Sequence, residues 1–228
     1  MTNADAAGSA DAAGAADAQW RQRAVERSLR TARARAVSRS ERFIAVATEL
    51  LHETGSIDFT VQELVERSQM SLRSFYQHFA SKDDLLLAVF EEAIRGFVDR
   101  LAQQVAAEHG PLERLRAYVL GFYTTIDPRT EPASRALSHY MLILTQTEPS
   151  ELARVLAPQI TLLMGIVADG QAAGVLRHDI STRHLTLLIT QTLMAAMEMR
   201  VLGTYLTGEQ ISEEELWSFC TAGVVVRP

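Results

Sequence analysis

The chain of 228 residues has a single cysteine, Cys220, and a single lysine, Lys82. One thiol excludes a disulfide framework and any thiolate-rich metal site, and it suits a reducing compartment. No apolar run reaches the roughly 18 residues that span a bilayer. No basic-then-apolar leader opens the chain either, so a cytoplasmic protein without a membrane partner is expected. Also missing are a glycine-rich phosphate loop, a His or Cys pair at metal-ligand spacing and a nucleophile elbow, while His139 and His184 lack evident catalytic partners. Neither an enzyme nor a bound metal or cofactor is therefore expected. What is present is 47% hydrophobic and 22% charged, enough for an ordinary packed core.

The formal net charge of −6 disfavours a polyanionic partner if it is read as an average. Its distribution says otherwise. Residues 1–20 carry Asp5, Asp11 and Asp17 and no base (−3), residues 21–82 carry eleven bases against seven acids (+4), and residues 83–228 carry eleven against eighteen (−7). The first twenty residues, nine of them alanine, hold too little apolar bulk to offset the entropy of ordering, and a disordered tail is expected. Residues 21–39 form a basic arm whose arginine run continues to Arg42. Such an arm is either solvated or, beside a folded DNA-reading module, tracks phosphates through side chains such as Arg39 and Arg42.

From Ser40 the pattern is helical almost throughout, without a convincing alternating strand, so the fold class is all-α. Phe43, Ile44, Ala47, Leu50 and Leu51 line one face of a first helix that Gly55 ends. Thr60-Val61-Gln62-Glu63 reads as a capping box opening a short second helix, with Val61, Leu64 and Val65 inward. Ser71 caps a third helix through Phe75, Tyr76 and Phe79, and Ser81-Lys82-Asp83-Asp84 opens a long fourth. Two short helices joined by a tight turn behind a longer one is the layout of a helix-turn-helix, whose second helix enters the major groove. The third helix leaves Ser71, Leu72, Arg73, Ser74, Gln77 and His78 for its outer surface, donors suited to phosphates and guanine edges.

The run from Thr60 to Leu86 resembles the DNA-binding domain of TetR-family transcriptional regulators, above all in Phe75-Tyr76-Gln77-His78-Phe79 followed by Ser81-Lys82-Asp83. The resemblance implies that Thr60, Ser71, Tyr76, His78 and Lys82 hold the DNA backbone. Leu72, Arg73, Ser74 and Gln77 would then face base edges, with Arg73 the choice for a guanine contact. The family commonly has glycine in the turn where this chain has Gln69. A left-handed backbone there would cost about 1 kcal/mol, which leaves room for a turn built differently.

Residues 40–84 are thus expected to be a three-helix helix-turn-helix domain, and 85–228 a helical ligand-binding and dimerisation domain. Further helices are predicted at 82–108, 111–126, 132–147, 149–173, 181–206 and 212–224, punctuated by Pro and Gly. Ser212-Glu213-Glu214-Glu215 reads as a second capping box. The last two helices are apolar on more than one face, and burial against a second copy predicts a homodimer that presents two reading heads to a two-fold operator in double-stranded DNA. Candidates for an effector pocket are Phe90, Phe97, Phe122, Tyr123, Tyr140, Met141 and Met164, which would suit an apolar or amphipathic small molecule. The alternative is an effector-independent regulator or adaptor that keeps the fold without a working pocket.

Overall fold

The computed structural model describes residues 36–125, 131–206 and 208–226, with side chains described for these apart from 201–206. The expected tail and most of the basic arm lie outside the described residues. Helix α1 covers 36–54. It is followed by α2 (Val61–Ser68), α3 (Leu72–His78), α4 (Lys82–Ala106), α5 (Pro111–Thr125), α6 (Pro132–Thr147), α7 (Pro149–Ala172), α8 (Thr182–Leu206) and α9 (Glu213–Val224). Among the described residues the only β pairing is one isolated antiparallel bridge, Leu176 to Val225. Helix α1 is already running at residue 36, so Arg39 sits on it and the expected start at Ser40 is too late.

The caps explain the boundaries. Thr60, Ser71 and Ser81 each accept a hydrogen bond from the backbone N–H three residues on, at 3.1 Å in all three. Only half of the capping box expected at α2 forms, because the Glu63 carboxylate turns to Arg67 instead of reaching back to Thr60. The box at α9 is complete, with Ser212 and Glu215 serving each other. Helix α1 ends at Gly55, whose φ of +65° suits glycine. The Arg135 guanidinium of α6 also lies where a β-carbon on Gly55 would stand.

Two apolar cores share the long α4. One joins α1–α3 to the first half of α4 and to Ala133, Ala136, Tyr140 and Leu144 of α6. At its centre Phe43 meets Phe75 and Phe79 edge-on, with ring centroids 5.6 and 6.2 Å apart. Such pairs add about 0.5–1.5 kcal/mol each beyond burial. The other core gathers the second half of α4 with α5, α7, α8 and α9. The boundary expected at residue 84 therefore runs through a continuous core: small side chains at Ala133 and Ala136 let α6 pack into the head. By length and mean hydropathy, 1.4, α7 could cross a membrane. Glu151, Arg154 and Asp169 interrupt it, however, and Leu163, Ile166 and Val167 are buried in the second core.

Candidate nucleic-acid interface and effector cavity

Helix α3 buries Phe75 and shows Leu72, Arg73, Tyr76 and Gln77 to solvent. Leu72 is 45% and Tyr76 57% exposed, so Tyr76 is a surface aromatic that leans edge-on against Phe75 at 5.2 Å. His78 is half-buried at the end of the helix. The Thr60 and Ser71 hydroxyls accept backbone N–H groups and keep their own O–H to donate, each at a helix N-terminus where an anion is favoured. Arg39 and Arg42 are exposed on α1, and neither they nor Arg73 form an ion pair among the described residues. Arg67, by contrast, is held by Glu53 and Glu63, and the Glu53 hydrogen bond raises its pKa. The uncompensated positive charge thus sits on the outer face.

Two expectations for this face change. The Ser74 Oγ is shielded from solvent and has no hydrogen-bond partner among the described residues. The Lys82 ammonium does not stand free: it donates to the carbonyls of Ile57 at 3.0 Å and Phe59 at 3.1 Å, and lies 5.4 Å from the centre of the Phe59 ring. It ties the start of α4 to the segment before α2, leaving one N–H for any other partner.

The turn between α2 and α3 is built on a left-handed backbone, the conformation that a glutamine resists. Gln69 has φ 56° and ψ 33°, the Gln69 N–H donates to Glu66 O, and the Met70 N–H donates to Val65 O. Those two bonds are a Schellman motif, normally closed by glycine.

A cavity of about 320 Å³ opens where the two cores meet. Its floor is apolar, with Phe90 and Phe97 of α4, Phe122 of α5, Leu137 and Met141 of α6, and Met197 of α8. Four of the seven expected pocket residues are therefore brought together. The other three are employed elsewhere. The Tyr123 hydroxyl donates to Ile211 O at 2.6 Å, and its ring lies 4.3 Å from the Arg200 guanidinium. The Tyr140 hydroxyl donates to Asp83 O at 3.2 Å, joining α6 to the start of α4. Met164 is 38% exposed on α7. Sequence reasoning missed Leu137, Met194, Met197, Arg100 and Gln159 on the wall. The recurrence of Met194 and Met197 three residues apart is a signal that could have found two of them.

Arg100 marks one side of the cavity. Its guanidinium lies over Gly96, one turn back, 3.5 Å from where a β-carbon would stand, and it forms no ion pair among the described residues.

Residues 43–89 match the family model of bacterial regulatory proteins, tetR family. Over those residues the chain carries a TetR-family DNA-binding head. The "HTH-type transcriptional repressor KstR2" of Mycolicibacterium smegmatis is 23% identical over 194 residues, covering 78% of this chain and 87% of that relative. The "Fatty acid metabolism regulator protein" of Bacillus subtilis is 20% identical over 148 residues, 61% of this chain and 72% of that relative. Among solved structures, the transcriptional regulator FadR from Bacillus subtilis in complex with stearoyl-CoA superposes with a TM-score of 0.62 at 17% identity, covering 80% of this chain and 98% of that one. As in the TetR-family layout, a helix-turn-helix head is carried on a helical body, and the matched segment includes every head residue from Phe43 to Val89.

Proposed function

We propose that this protein is a non-enzymatic, cytoplasmic DNA-binding repressor released from its operator by an acyl-bearing effector. The carrying observation is the position of the cavity. Leu51 of α1, Val89 and Phe90 of α4, and Leu137 and Met141 of α6 all border it, and the same helices build the core under α3. A molecule seated there presses on the elements that aim the reading helix. An effector acts only if it binds one head orientation better than the other, and a coupling of about 1–3 kcal/mol is usual. The apolar floor with a free guanidinium beside it suits a chain with an anionic end, as fits the acyl-CoA in the FadR complex.

Arg73 is the proposed base reader, with Leu72 and Gln77 beside it. Thr60, Ser71, Tyr76 and His78 hold phosphates, with Arg39 and Arg42 following the adjacent backbone. Two heads are supplied by a homodimer through α8 and α9, where Leu187 is 42%, Leu188 55% and Phe219 70% exposed.

The test begins by selecting bound duplexes from a random pool, which should return a two-fold sequence. Titrating the complex with stearoyl-CoA and dodecanoyl-CoA, read by fluorescence anisotropy, should then release the DNA at effector concentrations that leave a cavity-filling variant, Ala93→Phe, bound. Release that is equal for both proteins, or no release by either acyl compound, refutes the cavity as the sensing site. The second result favours the effector-independent regulator.

A further inference from the structure

The inner wall of the cavity carries a polar site that a plain hydrocarbon chain would leave unused. Gln159 of α7 is 1% exposed and lines the cavity. Beside it Tyr118 of α5 is wholly buried, with a hydroxyl that has no hydrogen-bond partner. Burial raises the pKa of that phenol, and the Gln159 side chain, close enough to interact with it, partly offsets the rise. Buried amides and hydroxyls are satisfied in the great majority of cases, and the unpartnered Tyr118 hydroxyl next to the Gln159 amide of the wall marks a place for a missing partner. A Gln side chain can both donate and accept, and the phenol can do either, so the complementary group is a hydroxyl or keto oxygen.

We infer that the effector is an oxygenated acyl compound: an anionic head beside Arg100, an apolar body on the Phe90, Phe97 and Phe122 floor, and a hydroxyl or keto oxygen on that body bonded to Gln159. The inference rests on the proposed acyl-sensing role of the cavity and adds what the cavity selects. A site built to hydrogen-bond an oxygen discriminates strongly against the analogue that lacks it, because its own polar groups are then left unpaired.

The experiment uses the full-length protein and four kinds of probe: dodecanoate, positional isomers of hydroxydodecanoate, the coenzyme A thioesters of both, and dodecanol. Affinities are read by calorimetry and by release of operator DNA. One positional isomer should bind about tenfold tighter than the unsubstituted chain. Gln159→Leu, nearly the same in shape, should erase that preference while binding the plain chain at least as well as before. Tyr118→Phe should reduce the preference, and Arg100→Gln should weaken acid and hydroxy acid equally and bring both towards dodecanol. The free acids and the thioesters separate the two sources of an anionic head. If the plain chain binds and releases DNA but no isomer is preferred, or the preference survives in Gln159→Leu, the oxygen-reading site is refuted and the acyl sensor stands. If no acyl probe binds, both fall.

Discussion

Replacing Gln69 by glycine isolates one strained turn. Gln69 holds φ 56° and ψ 33° at the end of α2, and its exposed side chain makes no hydrogen bond among the described residues, so the substitution removes no contact. A left-handed backbone costs an L-residue about 1–2 kcal/mol. Glycine relieves that strain but returns about 0.4–1 kcal/mol through the larger entropy of its unfolded chain. Gln69→Gly should therefore stabilise the protein by about 0.5–1 kcal/mol. The assay is urea unfolding at fixed protein concentration, because association shifts apparent stability. The midpoint should rise with the slope unchanged, since the surface exposed on unfolding is the same. Gln69→Ala is the control: alanine is as strained as glutamine at this position and should fall within about 0.5 kcal/mol of the parent. A glycine variant no more stable than the alanine variant would refute the left-handed turn as the source of strain.

Arg73→Ala should flatten discrimination between operator and random DNA in competition binding, and equal losses on both would remove Arg73 from base reading. Lys82→Ala loses two bonds from a charged donor to carbonyls and should cost about 1.5–3 kcal/mol in urea unfolding, an effect that a pure phosphate contact would not produce. Tyr140 has its pKa pushed up to about 12, first by burial and then by the Asp83 and Asp84 charges. A phenol raised in the folded state contributes stability that is complete below the unfolded value of about 10 and is lost as pH rises towards the folded one. Unfolding measured between pH 10 and 12 should show that loss, and Tyr140→Phe should reduce it. Burial pushes the Cys220 thiol up to about 11, so an aromatic disulfide reagent at neutral pH should label it only after denaturant is added.

Much of the head is legible in the order of its residues, because its signals are local. A serine or threonine three residues ahead of the N–H it caps needs only its own turn, and Thr60, Ser71, Ser81 and Ser212 all cap as expected. The aromatic core of Phe43, Phe75 and Phe79 follows from helical periodicity. Side-chain choices between rival partners are not legible in the same way. Glu63 takes Arg67 over the Thr60 backbone, and Lys82 takes the Ile57 and Phe59 carbonyls, twenty-five and twenty-three residues away, over solvent. Gln69 keeps the left-handed turn because α2 and α3 are both anchored in the same core, and their packing outweighs about 1 kcal/mol of backbone strain.

One thiol, one lysine, and acids and bases parted along the chain are matters of composition and order alone. Covalent and charge chemistry of that kind is independent of how the helices meet, so residue order suffices for the all-helical class, the caps and the basic reading face. Packing settles the rest: α6 shares the core of the head, Tyr140 closes a hydrogen bond while Phe122 lines a cavity, and Gln159 is buried in its wall. A cavity is the space that helices far apart in the chain fail to fill. Its walls and its unsatisfied groups exist only once those helices are packed.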